Sequence, residues 1–199
     1  MSNVSPEKKG QYPSTDLSKN CEVTTDDLGQ LSINEGLAEK QIEQLIDYAN
    51  TDELVGKNTS DPHRFENREA YDDWLRSGRS IYSITDSEGN LLGIVWFGKK
   101  AFPTVTLKPE FEDLDTDLYG VTFAIRLYGK ARGKGLAKKI TDITLSAYMK
   151  SDDYRAAGSN GFWLETSETN LAAVNTYNTL FTQVSDSNER GKIVMVWAP

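Results

Sequence analysis

The stretch that decides the fold is Val121-Thr122-Phe123-Ala124-Ile125-Arg126-Leu127-Tyr128, then Gly129-Lys130-Ala131-Arg132-Gly133-Lys134-Gly135, then Leu136-Ala137-Lys138-Lys139-Ile140-Thr141-Asp142-Ile143. The first eight residues are β-branched and aromatic, and the run is short enough for a strand. The last part carries apolar residues at Leu136, Ile140, Ile143 and Ala147, the spacing of one buried helix face. Three glycines and three cations lie between. The sequence therefore predicts a strand, a Gly-rich loop and a helix.

Such a unit has a natural ligand. The first turn of a helix leaves backbone N–H groups without intrahelical partners, and the macrodipole places partial positive charge there. Glycines let that backbone approach a phosphate closely. Lys130, Arg132 and Lys134 would add full charge. A phosphate or pyrophosphate is expected at Arg132–Ala137, against the plainer reading of a strand-to-helix turn with surface cations. Neither of two familiar phosphate loops is present. For a G-x-x-x-x-G-K-S/T loop ending on Gly133-Lys134, Tyr128 stands at the first glycine and Gly135 at the hydroxyl. For G-x-G-x-x-G starting at Gly133, Lys138 stands at the third glycine. What remains is Arg132-x-x-Gly135-x-Ala137.

Working outward, the 199 residues suit one domain over 21–199 with a tail at 1–20. The tail is rich in Ser, Lys, Asn, Pro and Asp and reads as disordered. It has no apolar stretch of the kind a secretory signal needs, and no run approaches the ~18 apolar residues of a membrane span. The expected location is cytoplasmic. Cys21 and His63 each stand alone, so neither an intrachain disulfide nor a zinc cluster is expected, and no metal is. The net charge of −8 opposes nonspecific binding to nucleic acid or an anionic membrane and fits a cationic partner such as an amine.

The remaining chain is read in order. A short strand is expected within Cys21–Ile33, then a helix capped by Asn34 and running to about Asn50. That helix would bury Ala38, Ile42, Leu45, Ile46 and Ala49. Thr51–His63 reads as polar loop and Phe65–Leu75 as a second helix ended by Gly78. Ser80–Asp86 and Leu91–Phe97 form a hairpin across Ser87-Glu88-Gly89-Asn90. Ala101–Asp117 is a long connection with five carboxylates between Glu110 and Asp117, able to line a cationic site but more simply a solvated loop. After the central unit come a loop over Ser151–Asn160, a strand over Phe162–Thr166, a helix over Asn170–Leu180 and a last strand over Ile193–Trp197. Leu171, Val174 and Tyr177 would share one helix face. The order predicts an α/β (α+β) fold with a mixed sheet.

Glu165 ends an apolar strand, Asn170 opens a helix, and Tyr177 lies two turns along it. Glu and Tyr are a plausible base and acid. At these residues the sequence resembles a family. Arg132-Gly133-Lys134-Gly135-Leu136-Ala137 after an apolar strand resembles the Gln/Arg-x-x-Gly-x-Gly/Ala acyl-CoA motif of the GNAT superfamily of N-acetyltransferases. Trp163-Leu164-Glu165 with Asn170-x-x-Ala173-x-x-x-Tyr177 resembles its second signature. The resemblance covers about Ile42 to Trp197. Two positions depart from the pattern. Phe181 stands where the family has a glycine after its tyrosine, unless one residue is deleted, and Gly129 stands where it often has Pro.

The resemblance implies a mostly antiparallel sheet with a V-shaped opening and about four flanking helices. It implies that backbone groups of Ile125, Arg126 and Leu127 bind the pantetheine amides of acetyl-CoA. The amides of Arg132, Gly133, Lys134, Gly135, Leu136 and Ala137 would hold the pyrophosphate, and Asn170 would contact the cofactor. Tyr177 would protonate the departing thiolate, and Glu165 would deprotonate the amine, directly or through water. Glu165 is otherwise a carboxylate on a strand edge, and Tyr177 a core aromatic. The expected activity is acetyl transfer from acetyl-CoA to a primary amine in a ternary complex, and a homodimer is compatible with it. Two other readings stand beside it. One is a non-catalytic acyl-CoA-binding module on the same fold. The other is a nucleic-acid binder using Lys130, Arg132, Lys134, Lys138 and Lys139.

Overall fold

The structure, a computed structural model, describes residues 21–198. The tail expected over 1–20 lies outside the described residues. Residues 21–98 with 124–147 form one compact unit, and residues 99–123 with 148–198 form a second.

The first unit opens with an antiparallel hairpin, β1 (Cys21–Thr25) and β2 (Gly29–Glu35), in register from Cys21↔Ile33 to Thr25↔Gly29. The single expected strand is therefore two, and Asn34 is not a helix cap but a β2 residue opposite Ser83. The reason is periodicity: Leu31 and Ile33 are fully buried while Ser32 and Asn34 alternate with them, a two-residue repeat that holds the chain extended. Helix α1 (Glu39–Thr51) starts five residues later and buries Ile42, Leu45 and Ala49. Then follow α2 (Glu53–Asn58), α3 (Asp61–Arg64) and α4 (Arg68–Arg76). The span expected as a loop over Thr51–His63 thus holds two short helices.

Strands β3 (Arg79–Thr85) and β4 (Leu91–Lys99) pair antiparallel as expected, from Arg79↔Gly98 to Thr85↔Leu91. Next in the sheet is β5 (Val121–Leu127), whose residues from Ala124 on belong to this unit. Gly93 lets β5 close in on β4, since a Cβ there would lie 2.5 Å from the Arg126 carbonyl oxygen. The unit ends with α5 (Leu136–Tyr148). That helix buries Leu136, Ile140 and Ala147 as expected, but Thr144 and Leu145 in place of Ile143, which is half-exposed. The core joins Ile42, Leu45 and Ala49 to Phe65, Tyr71, Ile94, Trp96 and Tyr128. Burying a side chain the size of Leu45 contributes about 1.5–3 kcal/mol.

The second unit holds the start of β5, then α6 (Asp152–Ala157), β6 (Phe162–Ser167), α7 (Leu171–Tyr177), β7 (Thr182–Gln183) and β8 (Lys192–Trp197). Its strand order is β5-β6-β8-β7. β8 pairs antiparallel with both neighbours, whereas β5 and β6 are parallel. That parallel pairing is confined to Val121↔Phe162 and Thr122↔Trp163, as the expected opening requires. The acidic connection is a strap: Phe102, Val105, Leu107, Phe111 and Leu114 pack on Tyr119, Trp163, Val184, Val194 and Val196. Its five carboxylates, Glu110, Glu112, Asp113, Asp115 and Asp117, face solvent.

The eight strands are mixed and mostly antiparallel, as the sequence predicts. Seven α-helices are present among the described residues, where about four were expected. The additional ones, α2, α3 and α6, have six, four and six residues, too short to display a hydrophobic period.

Candidate functional site

The first unit holds the predicted phosphate loop. After β5 the chain makes one 3-10 turn over Gly129–Ala131 and reaches α5 through Arg132–Gly135. Gly133 and Gly135 have φ of +71° and +67°, the left-handed region that L side chains avoid. A Cβ at either would meet nothing within 4 Å, so the turn lies open on that side. Gly133, Lys134 and Gly135 are exposed, and among the described residues their amides donate to no protein acceptor. A thirteen-residue helix follows at Leu136-Ala137, so its dipole is directed at the same place.

The three cations do not add free charge there, contrary to expectation. Lys130 Nζ is 2.8 Å from Asp86 Oδ2, Arg132 Nη2 is 2.7 Å from Asp52 Oδ2, and Lys134 Nζ is 2.9 Å from Asp27 Oδ2. The partners come from three separate places: the β3–β4 turn, the α1–α2 junction and the β1–β2 turn. Asp86 is 7% exposed and accepts from the amides of Glu88 and Asn90, from Asn90 Nδ2 and from Lys130. Burial alone would raise its pKa, but these donors, Lys130 foremost, bring it down to about 2. Asp52 is held below the usual carboxylate range in the same way. Burial opposes ionisation, and hydrogen bonds from Arg132 and the amides of Val55 and Leu54 outweigh it. No spacing signal marks these pairs, because each joins residues between 44 and 107 positions apart in the chain.

The backbone of Ile125–Leu127 is already partly engaged. Arg126 Nη1 donates to the Ile125 carbonyl at 2.9 Å, and Arg132 Nε donates to the Leu127 carbonyl at 2.8 Å. Each carbonyl keeps a second lone pair. Arg126 Nε also donates to the fully buried Asp61 at 2.9 Å, and Arg64 Nη1 reaches the other carboxylate oxygen at 3.1 Å. Beneath them the Tyr128 ring stacks on Tyr48 at 4.4 Å. Burial, then the charge of Asp61, drives its phenol pKa far up, so Tyr128 is a neutral structural ring.

The second unit holds the other candidates. Asn170 is the N-cap of α7: its Oδ1 accepts from the Ala173 amide at 3.3 Å. Tyr177 closes the same helix and is 6% exposed, with its ring edge-on to Phe123 at 6.2 Å and to Phe181 at 5.9 Å. Phe181, at the position of the family glycine, stacks on Phe123 at 5.5 Å, and its amide donates to the Tyr177 carbonyl at 2.7 Å. An aromatic wall therefore takes the place of that glycine. Leu171, expected on the buried face, is 66% exposed, since α7 is only two turns long and turns that side to water. Glu165 stands exposed on β6 between buried Leu164 and Thr166, opposite Val194, with Asn188 Nδ2 at 3.4 Å. Glu165, Asn170 and Tyr177 thus belong to one unit, and Ile125–Leu127 with Arg132–Ala137 to the other.

His63 is exposed at the C-terminal end of α3, and Cys21 is half-buried on β1, its thiol pKa raised by burial. No group of three or more His, Cys, Asp or Glu among the described residues could hold a metal ion. No described helix is long and apolar enough to cross a membrane.

No family model matches the sequence, and no curated protein does. Solved structures do match the fold. The GNAT domain of PAT from S. lividans superposes with a TM-score of 0.58 at 18% identity, over 95% of this chain and 100% of that one. The spermidine N-acetyltransferase of Vibrio cholerae, in complex with CoA and spermine, gives 0.57 at 16% identity over 83% and 92%. An aminoglycoside acetyltransferase, AAC(6')-Ib, in complex with coenzyme A and kanamycin, gives 0.58 at 18% identity over 84% and 95%. At such identities the likeness speaks for architecture, and the architecture is plain: this chain has the fold of the GNAT acetyltransferases.

Proposed function

We propose that residues 21–199 act as a single cytoplasmic N-acetyltransferase domain that moves an acetyl group from acetyl-CoA to a primary amine. The observation that carries the reading is the exposed Gly133–Gly135 turn, whose amides have no protein partner, at the head of α5 in a GNAT fold. An open turn of left-handed glycines fits a pyrophosphate. Arg132–Ala137 would hold it through backbone amides, since Arg132 and Lys134 answer carboxylates already. Ile125–Leu127 would align the pantetheine arm and Asn170 would contact the cofactor. Acetyl-CoA supplies the activated thioester.

The residues then face two proton tasks. An amine with pKa near ~10.4 is about 3.4 units from neutrality at pH ~7, so the attacking form costs roughly 4–5 kcal/mol. Glu165, directly or through water, is assigned removal of that proton. From a ring fixed by Phe123 and Phe181, Tyr177 Oη is assigned donation of its own hydroxyl proton to the leaving sulfur, that proton being replaced from solvent. The spermidine and aminoglycoside enzymes of like fold support an amine as acceptor.

A second reading, an acyl-CoA-binding module without chemistry, is favoured by one observation: Glu165 is exposed, unlike a base held in a dry site. Nucleic acid is disfavoured, because Lys130, Arg132, Lys134 and Lys138 all pair with aspartates. The deciding experiment is a screen of amines and peptides for release of free CoA thiol, beside calorimetry of acetyl-CoA. Saturable thiol release is expected. Tight acetyl-CoA binding with no release on any amine would favour the module, and no binding at all would overturn both readings.

A further inference from the structure

Arg79 stands apart from the other half-buried arginines of the first unit. Arg64, Arg126 and Arg132 are each held by a carboxylate. Among the described residues Arg79 has neither a carboxylate nor a hydrogen-bond acceptor, and its Nε is completely buried. Its place is built rather than incidental. Arg79 is the cross-strand partner of Gly98, and a Cβ on Gly98 would lie 2.2 Å from Arg79 Nη1 and 2.8 Å from Cζ. The missing side chain makes the room in which the guanidinium rests.

From there it reaches the next residue on the same face of β4. Arg79 Cζ is 5.6 Å from the Trp96 ring centroid, and Arg64 Cζ, at the end of α3, is 5.5 Å from it. Trp74 of α4 closes edge-on at 5.6 Å. Trp96 is 6% exposed, and its Nε1, also completely buried, donates to nothing. Buried indole N–H groups ordinarily find an acceptor, and an unanswered guanidinium in such surroundings is costly. Burial, then the charge of Arg64, pulls the Arg79 pKa down, so the pair of cations is mutually unfavourable as it stands. The carboxylate that holds Arg64, Asp61, is shared with Arg126. In a chain of net charge −8, two such donors facing no anion, Arg79 and the Trp96 indole, beside an Arg64 that shares Asp61 with Arg126, are a specific arrangement.

We infer that Arg79, Arg64 and the indole N–H of Trp96 form a carboxylate-binding site. The guanidinium fork of Arg79 matches the two oxygens of a carboxylate. Taken with the acetyltransferase reading, on which this last step rests, the ligand is a carboxylate that also carries an amine: an amino acid or a peptide.

The test uses the full chain, titrated with the common L-amino acids, the matching amino-acid amides and inorganic phosphate, by calorimetry and tryptophan fluorescence. At least one amino acid should bind, its amide at least tenfold more weakly. Arg79→Gln should cut that preference below twofold, and Trp96→Phe, which keeps a ring but removes the N–H, should weaken the acid several-fold with little effect on the amide. A purely structural role for Arg79 would lower the melting temperature and weaken acid and amide alike. The inference is overturned if no amino acid binds, if acid and amide bind equally, if Arg79→Gln keeps the preference, or if phosphate binds more tightly than every amino acid. Thiol release on the same panel separates the two readings. An Arg79-dependent acid preference without thiol release keeps the site and removes the transferase. Thiol release on amines with no acid preference does the reverse.

Discussion

Arg132 Nη2 lies 2.7 Å from Asp52 Oδ2, and Nη1 lies 3.0 Å from Oδ1, so the arginine that opens the proposed phosphate loop is clamped bidentately to the junction of α1 and α2. Asp52 at the same time caps α2, accepting from the amides of Leu54 and Val55. One carboxylate thus fixes both a helix start and the loop. Asp52→Ala removes a cap, worth about 0.5–2 kcal/mol, and leaves a half-buried guanidinium with the Leu127 carbonyl but no carboxylate, worth about 1–3 kcal/mol more. A loss of about 2–4 kcal/mol is expected in urea unfolding at neutral pH. A loss under about 0.5 kcal/mol would show that the clamp is not holding the loop.

The acid limb of stability should report Asp86. Its folded pKa of about 2 lies below its ordinary value of 3.8. A depressed carboxylate adds stability that is fully present above the unfolded pKa and is lost as pH falls through the folded one. The window is therefore pH about 4 down to about 2. The difference is worth on the order of 2 kcal/mol. Urea midpoints for wild type and Asp86→Asn should differ at pH 6 and converge toward pH 2. A constant gap across that range would deny the coupling to Lys130.

What was legible beforehand follows from the range over which each signal acts. The β5–loop–α5 unit, the β3–β4 hairpin and β6 were readable because their signals are local: an apolar run, a turn tetrapeptide, a helical period. Asn34 is ambiguous because Asx residues cap helices and also sit on strands, and the alternation of Leu31 and Ile33 decides for the strand. Helices α2, α3 and α6 were hidden by being one or two turns long. The partners of Lys130, Arg132 and Lys134, and the pairing of Arg79 with Gly98, are tertiary facts that no spacing encodes.

Gly135 tests the phosphate loop. With φ at +67°, any L residue there costs roughly 1–2 kcal/mol, so Gly135→Ala serves as the control for strain alone. Gly135→Asp adds a negative charge where the pyrophosphate is proposed. The alanine variant should keep much of the acetyl-CoA affinity and the aspartate variant lose most of it, both remaining folded. Equal affinities for the two variants in calorimetry would take the pyrophosphate away from this turn.

Glu165→Gln removes the proposed base while leaving the strand pairing of β6 with β8 in place. Cofactor binding should be unchanged and turnover slowed, most at low pH, where neutral amine is scarcest. The check is a pH–rate profile of kcat/KM. If mutant and wild type overlay, the amine loses its proton elsewhere, and the exposed Glu110–Asp117 carboxylates become the next residues to replace.

Tyr177→Phe separates an enzyme from a binding module. The ring is buried between Phe123 and Phe181, and the substitution keeps that ring and deletes one hydroxyl, so packing should hardly change. If the hydroxyl delivers the proton to the leaving sulfur, turnover should fall by about 10²–10⁴-fold, the usual contribution of a general acid. Acetyl-CoA affinity should shift by less than about 1 kcal/mol, the net worth of one ordinary hydrogen bond. A ring that mattered only for packing predicts the opposite balance, with melting temperature and turnover both near wild type. Steady-state kinetics on the best amine of the screen, beside cofactor titration of the same protein, makes the distinction. Turnover within about twofold of wild type would remove Tyr177 from the chemistry. Its place would pass to solvent, because the neighbouring rings, Phe123 and Phe181, have no proton to give.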